Sequence, residues 1–453
     1  MRDAKLAKDK QGWADSPAGS SRSLSDRHRW LAAALLLAAC APQPPVRTAL
    51  QGDLASLKRE ILSAQQEKRL TPRLAVQLAE AVGEREVISA EGNFGAQRVR
   101  SLRGCARPLR SVMEKRANGV DDVSAELSLI LLEDHALDRV TLLNRYAASA
   151  SAGFRAVAAR AAIRPIDTDL RKRFFADPDE RVRRAAFAAA YDARDAGELT
   201  PLLEAARVDP DAQSQSLAAR AAGSIGGERA VLSLKDLWAQ GDDALRIAIV
   251  DAWTERASLV SGGARELSAV SDSGGVPAVS AAYALLRAGG AESAPAGAHL
   301  RRAILEGTDD EKRLALNVAP LDAANEAAIV LASQKASAEL RVVAFARLAT
   351  LPARHNEAIV QLRNLANARA SSDAELRTRD AAVSALAQAG DQSVGATLVK
   401  NLSSADLQTR WHAARALTSL GDYGNAATAL ADEDASLRAD VACAILAREA
   451  AQH

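Results

Sequence analysis

Aromatic side chains are scarce, with six Phe, five Trp and four Tyr among 453 residues. A core this poor in rings, and filled mostly by Ala, Leu and Val, excludes the thick β-sandwiches and barrels that draw on aromatic and β-branched residues. It favours thin, closely spaced helices. Histidine is equally sparse. The six, at 28, 135, 299, 355, 412 and 453, show no HxxxH, HExxH or Cys-x-x-Cys spacing, so no metal centre is legible and no metal or other cofactor is expected. His135 beside Glu133 and Asp134 reads as a solvated helix end rather than a ligand group.

Charge of one sign is missing too. Residues 1–39 hold seven of the 58 Lys/Arg and four of the 57 Asp/Glu, so the rest carries 51 basic against 53 acidic side chains. That balance offers no electrostatic footprint for nucleic acid, which is not expected as a partner. No catalytic constellation stands out. "AGSIGG" (222–227) fails the G-x-S-x-G frame at Ala222 and no strand precedes it. "SGGARE" and "SDSGG" lack the lysine of a phosphate loop. Acidic pairs such as Asp242-Asp243 and Asp309-Asp310 stand at helix starts, where they complement the dipole. The chain is therefore not expected to be an enzyme.

One apolar run is present near the start: "RHRWLAAALLLAACAPQPP" (27–45). It is shorter than the roughly 20 residues that span a bilayer, and a basic flank precedes it, as in a secretory signal. Leu37-Ala38-Ala39-Cys40 resembles the lipobox of bacterial lipoproteins. The resemblance implies that residues 1–39 are a signal peptide and that Cys40 carries palmitate-like acyl chains on a Pro-rich tether, 40–47. Ala41, rather than Asp, implies the outer membrane, with the chain facing the periplasm or the cell surface. The residues ahead of the apolar run are long for a leader, and a start at Leu24 would make it conventional.

The remaining chain repeats. "LRTRDAAVSALAQAGD" (376–391) matches "LQTRWHAARALTSLGD" (407–422) in register, and the aligned position recurs at Glu126, Arg155, Arg183, Gln215, Arg246, Val276, Arg313, Arg341, Arg377, Gln408 and Arg438. Helix-start signatures precede it: Asp177, Thr308 and Ser372 can cap backbone N–H groups, with Glu180, Glu311 and Glu375 completing capping boxes. Pro178 and Pro210 then fit the first helical position. Apolar spacing downstream is helical, as in Val182, Ala185, Ala186 and Ala189, and glycines such as Gly226, Gly289, Gly390 and Gly421 end the helices. Each unit is thus two amphipathic helices that bury their stripes only by stacking.

"FFADPDERVRRAAFAAA" and "LTSLGDYGNAATALADEDASLRADVACAIL" resemble HEAT repeats, of the short bacterial type seen in phycobilisome lyases. The resemblance implies an all-α, right-handed α-solenoid (an armadillo/HEAT-like α-α superhelix) of about ten to eleven units over 121–449. It also implies a structural ladder of Asp179/Arg183, Asp242/Arg246, Asp309/Arg313 and Asp373/Arg377, in which Asp caps and Arg bonds neighbouring loops or carboxylates. Residues 48–120, with Leu50, Leu54, Leu57 and Ile61 on one stripe, are expected to form an N-terminal helical cap. Cys105 and Cys443, separated by the whole array, are expected to be unpaired buried hydrophobes beyond disulfide reach. The function expected is a lipid-anchored scaffold that binds a protein or peptide in the cell envelope. The alternatives are a lyase-like enzyme attaching a chromophore, or a purely structural envelope protein.

Overall fold

The computed structural model describes residues 44–290 and 293–451. Leu37, Ala38, Ala39 and Cys40, and with them the signal and lipidation readings, lie outside the described residues. Every described element is helical, and no helix among them is long and apolar enough to cross a membrane.

From Pro72 onward the helices alternate between two layers in twelve two-helix units. A first helix such as Thr168–Phe175, Leu199–Val208 or Glu228–Gln240 is followed by a second such as Glu180–Ala193, Ala212–Ile225 or Asp243–Thr254. Second helices pack neighbour on neighbour along the whole array, whereas first helices touch one another less. The second helices are therefore the inner, more tightly curved layer. Small residues permit this closeness. A Cβ on Gly223 would stand 2.5 Å from the backbone of Ala252, so glycine there is what lets Ala212–Ile225 seat against Asp243–Thr254. The core is correspondingly aliphatic and alanine-rich, with Trp253 and Phe187 its bulkiest apolar members.

The N-cap chemistry settles the register. Thr308 and Ser372 form capping boxes with Glu311 and Glu375, as their spacing predicts. Asp177 does not cap. Asp179 takes that role and Asp211 does so one unit on, leaving Pro178 and Pro210 ahead of the caps. In each Asp-Pro-Asp turn the first carboxylate is engaged by an arginine of the preceding unit, so only the second is free to cap.

The N-terminal part differs from the expected cap. Pro44–Gln51 is helical, so the tether reading of 40–47 fails at 44–47; both prolines sit in the first turn, where a missing N–H costs little. The stripe from Leu50 to Ile61 is not one helix. Gly52, at φ +78°, breaks it, and Asp53 caps Leu54–Gln66, leaving Leu50 exposed while Leu57 and Ile61 are buried. Nor is the first unit a polar end. Leu54–Gln66 packs on 427–431, and Pro72–Ile88 packs on the final helix, Ala435–Ala450. The array's two ends meet, and the solenoid closes on itself.

Candidate functional site

Where the repeat keeps its signature side chain, it is the fourth residue of the second helix, four positions after the N-cap. Arg183 there donates through Nε and Nη2 to Asp209 (2.8 and 3.0 Å) and through Nη1 to the carbonyls of Asp177 and Pro178. Arg155 repeats the pattern with Asp177 and the carbonyls of Ser149 and Ala150, and Arg410 with Asp432 and the carbonyls of Ser404 and Ala405. Gln215 keeps only the carbonyl half, donating to Asp209 O. Each of the three arginines thus ties the turn before its own helix to an aspartate ending the next unit's first helix.

This geometry divides the expected ladder. Asp179 and Asp242 are N-caps, and Arg183 bonds a neighbouring carboxylate, that of the next unit's Asp209. Arg246 holds the Trp238 carbonyl at 3.3 Å and lies 5.7 Å over that ring. Asp309 and Asp373 are first helical residues behind the true caps Thr308 and Ser372. Arg313 and Arg377 therefore fall five positions past the cap, about 100° further round the helix. Arg313 reaches Glu339 at the surface and Arg377 is exposed, outside the ladder. In the next unit the ladder residue is Arg410, not Gln408. The readable signal was the Asp-x-Asp turn at 177–179, 209–211 and 432–434.

The same pattern builds the joint between the ends. Arg438 donates through Nη1 to the carbonyls of Asp432 and Glu433, as its counterparts do, while Nε reaches Glu86 at 2.6 Å, 352 residues away. Glu86 lies in the last turn of Pro72–Ile88, which occupies the place of the next first helix. Arg98 adds a second contact to it at 3.1 Å. Beside this buried cluster Cys105 is disulfide-bonded to Cys443, with Cα atoms 5.2 Å apart. The expectation of unpaired thiols was wrong because it assumed an open array.

The inner layer also carries a cleft of about 410 Å³, lined among others by Phe187, Tyr191, Leu217, Arg220 and Asp251 from three successive second helices and by Glu255 just past the last of them. Tyr191 donates to Glu255, two units away, and the carboxylate pushes the phenol up to about 12. Arg220 pairs with Asp251 at 2.7 Å, and Arg160 with Asp192 at 2.8 Å. Phe187 and Leu217 give the cleft apolar surface, and its charged side chains pair with one another around the rim. No group of His, Cys, Asp and Glu among the described residues is arranged to hold a metal ion.

Comparison with family models gives no match, and comparison with curated proteins gives none either. Among solved structures the chain is similar to the crystal structure of an engineered protein from a structural genomics consortium. The two share 19% identity over 74% of this chain and 98% of that one, with a TM-score of 0.27, a likeness too loose to bear on fold or function.

Proposed function

We propose that the chain is a lipid-anchored binding scaffold of the bacterial cell envelope, built from HEAT-like repeats, whose inner face holds a peptide segment or single helix of a partner protein. The observation that carries this reading is the inner cleft around Tyr191, set in a surface that closes on itself. Twelve inner helices spaced about 9 Å apart, less a helix radius of about 5 Å on each side, leave an opening on the order of 20 Å. One helix fits such an opening, whereas a folded domain of about 100 residues, with a radius of gyration near 13 Å, does not. The disulfide supports export, since such bonds persist in oxidising compartments. The lipobox adds the anchor, which would hold the ring close to the membrane.

The test compares proteins recovered with full-length wild type and with Leu217→Arg after cross-linking in cells. A reproducible partner that disappears with the charged variant supports the cleft. An unchanged recovery, or none, counts against it. Incorporation of tritiated palmitate that is lost in Cys40→Ser tests the anchor separately.

A further inference from the structure

We infer that the Cys105–Cys443 disulfide is a redox latch: oxidised, it holds the ring shut, and reduced, it lets the ring open at this one joint while every other interface stays formed. The inference rests on how the joint is built. Along the array, neighbouring inner helices are linked through a single first helix and its turns, so the chain itself keeps the two sides of each interface close. At the joint the two sides lie at opposite ends of the chain, 338 residues apart through the cysteines. Without the covalent bond only side-chain packing and the Glu86 cluster return them to each other.

The joint is also thinner on its inner side than elsewhere. Ala435–Ala450 meets the first helix Pro72–Ile88 extensively but the inner helix Gly92–Arg100 only slightly. The short turn at 103–105, which bears Cys105, fills that place. The disulfide thus stands where inner-helix packing is weakest. Both cysteines are buried, at 2% and 7% exposure, so exchange with a soluble thiol has to wait for the joint to part. Opening and reduction are one event. A dithiol reductant gives two electrons and two protons to the two sulfurs, breaking one S–S bond and itself becoming a cyclic disulfide. Closure is the reverse, with an external disulfide accepting the two electrons as both thiol protons leave. The latch is independent of what the ring binds.

Hydrogen exchange on the full chain tests this, comparing the oxidised protein, the same protein reduced with dithiothreitol, and Cys443→Ala. The latch predicts at least tenfold faster exchange in Pro72–Ile88, Gly92–Arg100 and Ala435–Ala450 in both altered forms, with Glu180–Ala193, Ala212–Ile225 and Asp243–Thr254 unchanged. Equal rates in all three forms would overturn it, because the joint then stays shut without the bond. Faster exchange spread evenly over every helix would overturn it too, by making the disulfide a general stabiliser. Should Cys443→Ala not fold, the reduced wild type decides alone.

Discussion

The units from 152 to 254 and the joint between 72–105 and 435–450 solve one problem with different means. In the first region Arg155 and Arg183 find their carboxylates 22 and 26 residues further along, delivered by the chain itself. At the joint Arg438 makes the same bonds to the carbonyls behind it, but its carboxylate is a glutamate from the other end of the protein. Closing a longer loop costs more conformational entropy. The joint offsets that with a second arginine on Glu86 and with a covalent bond, neither of which the interior units need. A ring made of repeats is therefore not uniform. Its interior is held by locality, its seam by redundancy.

Removing the ladder arginine from each region should have the largest and most unequal effects. Arg183→Ala leaves Asp209 buried and unpaired, and should cost roughly 3–5 kcal/mol. Arg438→Ala leaves Glu86 its partner Arg98 and leaves the disulfide intact, and should cost about half of that in oxidised protein. Urea unfolding of both variants checks the order, and a larger loss at Arg438 would contradict the idea of a redundant seam.

Close packing of inner helices is the next target. Gly223→Ala drives a methyl group into Ala252 and should cost about 1–3 kcal/mol through overpacking, measured as a lowered thermal midpoint.

A smaller, pH-dependent effect belongs to the outer surface. Arg363 holds the Asp391 carboxyl down to about 2, with bonds of 2.7 and 2.8 Å. Since the folded value lies below the ordinary one, the pair's contribution is fully present above pH 4 and is lost as pH falls through about 2. Asp391→Asn should cost about 1 kcal/mol at pH 7, because the arginine is half exposed, and the deficit should vanish at the acid end. The smallest effect is expected at Arg377, where replacement by Ala should change stability by less than about 0.5 kcal/mol.

Much of the array was legible in the sequence because its determinants are local. Capping residues, helical apolar spacing and a period near 31 residues are read within one unit, and they lead to two-helix units in the right places. Register was less secure. A shift of one residue moves Arg313 and Arg377 off the ladder, and the alignment favoured any nearby arginine over position from the cap. Closure was not legible at all. Glu86 sits in a region without the repeat's regularity, and nothing near Cys105 or Cys443 marks them as neighbours. Only the accumulated curvature of all the units brings them together, and curvature is set by many small packing choices, such as Gly223 against Ala252, that no single motif records. The inner cleft was missed for the same reason, since its lining comes from three successive units.

Closure is tested most directly by peptide mapping of the unreduced protein, with free thiols blocked before digestion. A closed ring predicts that the peptide bearing Cys105 is recovered covalently joined to the peptide bearing Cys443 and that the pair separates on reduction. Recovery of both cysteines as blocked free thiols, from protein kept oxidised throughout, would contradict it.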